Sequence, residues 1–141
     1  MNKVNNVDTP YVKILNQYIK DLSYENFEKK GTPNRNISEN ETSVDINVIY
    51  KPYEKKYFGV IIKIIINCKS KKEESVIFHL ELDYFGFFET ESKENFNKDK
   101  LSSEGAKLIF PFARSIIGNI TQNGGNIPIY LNNPDFNLIK S

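Results

Sequence analysis

Residues 57–68, Tyr-Phe-Gly-Val-Ile-Ile-Lys-Ile-Ile-Ile-Asn-Cys, limit the fold more than any other stretch of the chain. The run is apolar on both parities, interrupted only by Lys63 and Asn67. A strand of this kind needs cover on both faces and belongs in the middle of a sheet. It falls well short of the ~20 apolar residues of a membrane helix. The flanking segments alternate instead. Val44, Ile46, Val48 and Tyr50 oppose Asp45 and Asn47, and Leu80, Leu82 and Tyr84 oppose Glu81 and Asp83. Leu22 and Tyr24 likewise oppose Asp21, Ser23 and Glu25. Period-two patterns describe half-buried strands. Four strands are therefore expected, over residues 11–27, 44–50, 57–68 and 76 to about 88. The turn at residues 51–56 and the charged hairpin at 69–74 are short, which favours antiparallel pairing. A polar loop is expected over residues 28–42, with Gly31 and Pro33.

The period then changes. Residues 89–100 are charged and read as a loop, and Ser102 and Ser103 offer N-caps for a helix running to Asn123, ended by Gly124-Gly125. Its apolar residues (Leu108, Ile109, Phe112, Ala113, Ile116, Ile117, Ile120) occupy more than one stripe, as in a helix sandwiched between layers or subunits. Pro111 inside it removes one backbone hydrogen bond. An extended segment, Ile127 to Leu131, precedes a short helix expected from Pro134. The fold class is α+β: a four-stranded antiparallel sheet, one long helix and a short C-terminal helix, in one domain over residues 1–141 with a flexible lead of ten residues.

Composition narrows the chemistry. The net charge of +1 offers no basic patch for nucleic acid. The first residues lack the apolar core of a secretory signal, and a single cysteine, Cys68, suits a cytosolic protein and a core position. Cys68 and His79 alone cannot complete a zinc site, and no phosphate-binding glycine loop is present, so no metal and no cofactor are expected. Nor is insertion into a membrane.

Three segments carry a family resemblance: Tyr18 to Phe27 (YIKDLSYENF), Leu80 to Phe88 (LELDYFGFF) and Leu108 to Arg114 (LIFPFAR). In order and spacing they resemble SecB, the bacterial protein-export chaperone, as do Ile127 to Leu131 and Asp135-Phe136 at a crossover loop and second helix. The resemblance spans about residues 11–139, and Phe-Pro-Phe-Ala-Arg is its most specific part. It implies a dimer of dimers with the long helices between sheet layers, placing Ile109, Ile116 and Ile120 at subunit interfaces. It implies binding of unfolded precursor proteins without ATP and their delivery to the motor protein SecA. SecA docking would fall on Asp21, Glu25, Glu81 and, at a position otherwise hydrophobic, His79. The client groove would be lined by Val44, Ile46, Val48, Tyr130, Leu131 and Phe136, with Phe112 behind them. Phe87 and Phe88 are expected either in the groove or in the subunit core, and Gly86 at a bulge or close backbone approach. The family is typically acidic, whereas this chain has a pI near 7.7. Its second helix usually runs further, leaving little more than two turns here.

Besides an inert interaction scaffold, which would not stop an unfolded protein aggregating, two other readings stand beside it. One is a SecB-like chaperone for another client, such as an antitoxin. The other is a small α+β enzyme with Asp21, Glu81 or Asp83 in a closed cleft. The chaperone reading puts those carboxylates on an open face and requires no catalytic residue.

Overall fold

The run that is apolar on both parities is an inner strand. The computed structural model describes residues 9–28, 31, 40–91 and 93–139. The first eight residues and most of the expected 28–42 loop lie outside them. Four strands, β1 (Val12–Asn26), β2 (Asn40–Pro52), β3 (Tyr57–Ser70) and β4 (Ser75–Thr90), form one antiparallel sheet in the order β1-β4-β3-β2. All four correspond to expected segments, β1, β2 and β4 from alternation and β3 from its run of apolar residues. β2 starts four residues earlier than its apolar pattern, at Asn40, and continues through Pro52. Proline is tolerated there because β2 is an edge strand, whose outward N–H groups have no ladder partner to lose.

Register assigns each parity to a face. Phe58, Val60, Ile62, Ile64 and Ile66 of β3 are fully buried, and Ile64 and Ile66 lie opposite Leu82 and Leu80 of β4. This row packs beneath α1 (Lys98–Asn123), which covers it with Ile109, Phe110, Ala113 and Ile117. The other parity forms an open face, on which Lys63, Ile65 and Asn67 lie opposite Asp83, Glu81 and His79. Lys63, which breaks the apolar run in sequence, pairs there with Asp83 at 3.0 Å. Tyr84, Leu80 and Leu82 all point into the layer under α1, as their alternation indicates.

Two helix boundaries differ from the sequence expectation. The helix begins at Lys98, capped by the Asn97 side chain, which accepts from the Lys100 N–H at 2.8 Å. Ser102 and Ser103 are therefore buried residues of the second turn rather than caps, and the Ser103 hydroxyl donates to Asn137 Oδ1 at 2.8 Å. The C-terminal end is as expected, with Gly124 at the cap and Gly125 at φ +82, a left-handed conformation that glycine adopts at no steric cost. The short terminal helix is a single 3-10 turn, Phe136–Leu138, with Asp135 capping the Asn137 N–H.

Gly86 marks a close approach of α1 to the sheet. A Cβ there would lie 2.7 Å from the Phe88 ring and 2.9 Å from Ile109 Cγ2. The β1–β4 ladder has its irregularities in β1, between Ile14 and Asn16 and between Ile19 and Asp21.

Candidate functional site

On the helix side, one stripe of α1 fastens the extended segment that follows it. Thr121, fully buried, donates its hydroxyl to Ile117 O at 2.8 Å and accepts the Ile129 N–H at 3.0 Å. One turn back, Gly118 leaves room for the Tyr130 ring to lie directly on the helix backbone. Another turn back, Arg114 Nε donates to the Leu131 carbonyl, and its guanidinium sits 5.5 Å from the centre of the Tyr130 ring. Phe110 then meets Phe136 edge-on, with centroids 5.5 Å apart. Positions 110, 114, 118 and 121 repeat every three or four residues, so they share one helix face. The segment is thus held antiparallel to α1, with Leu131 and Phe136 turned into the core and Tyr130 outward.

Beside this wall lies the helix-facing row of the edge strand β2. Val44 is 43% exposed, Ile46 is half-buried and Val48 is 4% exposed. Where the row begins, a cavity of about 180 Å³ opens between Asn40, Thr42 and residues 126–129, with Cys68 and Phe78 among its lining. The Thr42 hydroxyl lies 3.7 Å from Cys68 Sγ, and burial pushes the Cys68 thiol above its ordinary pKa. Cavities near this volume accept a single ring-sized apolar group.

The open face has a different chemistry. Asp21 and Glu25 of β1 are exposed there, opposite Asp83 and His79. His79 Nδ1 lies 2.7 Å from Asn67 Oδ1 and its Nε2 lies 2.8 Å from Glu81 Oε2. The four residues expected at a docking surface therefore share one face on adjacent strands. Asp21 and Glu81 are exposed on this face, and Asp83 is paired there with Lys63. An open sheet face is not the closed cleft that an enzyme using these carboxylates requires.

Of the seven expected groove residues, six gather at the β2 edge and the segment after α1. Phe112 does not. It lies about 200° around the helix from Arg114, on the outward face with Leu108, and the two are 47% and 39% exposed. Ile116 and Ile120, expected at a subunit interface, are half-buried at the flank of that outward face. Ile109 is corrected: it is fully buried against the sheet near Gly86 and has no surface left to offer another copy. A helix apolar on several sides does not reveal by its own period which stripe a sheet will take. Sequence reasoning also passed over Thr121 and Gly118. The only available signal was their helical spacing to Arg114, which lies within the quoted LIFPFAR segment.

No helix among the described residues is long and apolar enough to cross a membrane. The family profile of SecB, preprotein translocase subunit SecB, matches residues 5–139. The protein-export protein SecB of Dinoroseobacter shibae is 36% identical over 129 residues, covering 90% of this chain and 74% of that protein. That of Afipia carboxidovorans is 37% identical over 131 residues, covering 90% and 78%. The fold is similar to that of a Mycobacterium tuberculosis SecB-like chaperone solved with a ChAD peptide from the HigA1 antitoxin, with a TM-score of 0.71 over 87% of this chain and 90% of that one at 9% identity. With nearly its whole length matched by the profile and by these relatives, the chain belongs to the SecB family of protein-export chaperones.

Proposed function

We propose that this protein holds unfolded precursor proteins along the β2 edge, without ATP, and passes them in the cytoplasm to the SecA motor through its open sheet face. The supporting observation is the partly exposed row Val44–Ile46 beside the fastened segment 127–131, next to a ring-sized cavity. Apolar area of this kind attracts any client at ~25 cal/mol per Å², while ordering of the flexible client opposes most of the gain. Affinity is then built from many modest contacts, made avid by an assembly presenting several grooves to one client. A homotetramer, a dimer of dimers, supplies that valence, and the outward α1 face with Leu108 and Phe112 offers apolar surface for it. Asp21, Glu25, Glu81 and His79 form the SecA-docking surface.

The test is aggregation of a denatured client followed by light scattering. Wild type at tetramer mass suppresses the signal, and Val44→Asp weakens suppression while leaving the fold intact. A monomer without effect on aggregation overturns the reading. Asp21→Lys combined with Glu81→Lys then separates export from service to another client class, such as an antitoxin. Loss of SecA binding with retained suppression supports export through this face, and unchanged SecA binding overturns the docking role of Asp21 and Glu81 and weakens the export reading.

A further inference from the structure

Tyr18 and Asp21 are three residues apart in β1, a spacing that sends side chains to opposite faces of a regular strand. The irregularity between Ile19 and Asp21 makes Lys20 an extra residue, and the parity shifts. Tyr18 pairs with Phe85 and Asp21 with Asp83, and those two β4 residues are two apart on the same face. The bulge therefore brings a phenol ring and a carboxylate side by side on the open face, about 7 Å apart along the strand.

Each member is prepared for a ligand. The Tyr18 ring rests on Phe85 at a centroid distance of 5.0 Å and an interplanar angle of 40°. Phe85 is only 6% exposed and fixes the ring from below, while Tyr18 is 47% exposed and keeps its outer face open. Asp21 lies directly across from Asp83, and like charges in that arrangement repel. Lys63 ties down Asp83 at 3.0 Å, whereas the Asp21 carboxylate has no ion pair to any described residue, not even to Lys20 beside it. A cation brought to Asp21 relieves this repulsion. An aromatic face next to an unpaired carboxylate favours one cation over another. A guanidinium is planar, stacks on a ring and offers a fork of N–H donors to a carboxylate, whereas an ammonium is a compact, strongly hydrated point charge.

We propose that Tyr18 and Asp21 form a subsite for one arginine side chain of a cationic partner segment lying across the open sheet face. The inference rests on the docking reading of that face and adds which cation it selects and by what contact. Glu25 and Glu81, further along the same face, take additional positive charges of the segment without discriminating between them.

The experiment is fluorescence anisotropy of a labelled serine–arginine repeat peptide and its serine–lysine counterpart, at low salt, against wild type, Tyr18→Leu, Tyr18→Phe and Glu25→Lys, with circular dichroism confirming the fold of each. Wild type is expected to prefer the arginine peptide by about twofold to fivefold, the range of one exposed cation–π contact. Tyr18→Leu removes the preference by weakening only the arginine peptide, and Tyr18→Phe, which keeps the ring, retains it. Equal binding of the two peptides to wild type, or equal weakening of both by Tyr18→Leu, overturns the subsite. If Glu25→Lys nevertheless weakens both peptides, the docking reading stands without it. If neither peptide binds wild type, both fall.

Discussion

Phe87 and Phe88 are consecutive residues of β4 that serve opposite layers of the molecule. Phe88 is fully buried under α1 and stacks on Phe58 at 5.2 Å. Phe87 lies on the open face, stacked on Tyr57 at 5.6 Å and edge-on to Tyr53 at 5.0 Å. Phe88→Ala is expected to cost about 3–5 kcal/mol, the usual range for an emptied core aromatic site. Phe87→Ala is expected to cost clearly less, since that ring is only half-buried. Urea unfolding curves compare the two, and equal losses would contradict the assignment to opposite faces.

Two glycines against aromatic rings should respond differently to the same substitution. Gly86→Ala forces a methyl group between Phe88 and Ile109, both fully buried, and overpacking of that kind costs about 1–3 kcal/mol. Gly118→Ala meets Tyr130, which is 53% exposed and can lift away. The thermal midpoint should fall for Gly86→Ala and move little for Gly118→Ala. Client binding should weaken for Gly118→Ala, because the Tyr130 ring is displaced from the wall beside β2.

Thr121 is expected to act on the same wall through hydrogen bonding. Thr121→Val keeps the shape but leaves the part-buried Ile129 N–H without its acceptor, a loss of about 0.5–1.5 kcal/mol. Thr121→Ser restores the oxygen. Hydrogen exchange at the Ile129 amide should accelerate in the valine variant and return toward wild type in the serine variant.

Stability should decline on the alkaline side. Burial holds the Cys68 thiol and the Tyr50 and Tyr84 phenols above their ordinary pKa values, and does so for Tyr24 despite a hydrogen bond from Asn126 that acts the other way. The folded state therefore favours the neutral forms. This contribution is complete below the unfolded-state values, about 8.5 for cysteine and 10 for tyrosine, and is lost as pH rises through the higher folded values. The thermal midpoint should fall from about pH 9 upward and more steeply beyond about pH 10. Cys68→Ala should remove the first part of that decline. For the same reason the thiol should alkylate slowly at neutral pH, and more slowly still with a client covering the adjacent cavity.

What the sequence made legible follows from what periodicity measures. Alternation in β1, β2 and β4 identified the strands and sorted Leu80, Leu82 and Tyr84 from Glu81 and Asp83, because one face is wet and the other dry. It could not register the extra residue at Lys20, since a bulge changes parity without changing composition. The helix start moved to Lys98 because Asn97 caps it and the charged first turn tolerates solvent, whereas Ser102 and Ser103 carry small side chains that fit beneath the helix. Ile109 and Phe112 both depart from their expected surroundings for one reason. Several apolar stripes on α1 look alike in sequence, and the close approaches at Gly86 and Gly105 mark the one that touches the sheet.

The segment after α1 is gripped at the Ile129 amide and the Leu131 carbonyl, main-chain groups that every non-proline residue carries. Its placement is therefore largely independent of what its own outward side chains are. Exchanges at residue 130 or at exposed positions 132 and 133 would alter what the wall presents while the wall itself stays in place. Client preference in such a protein can drift over evolutionary time by surface substitutions alone, with no compensating change in the core.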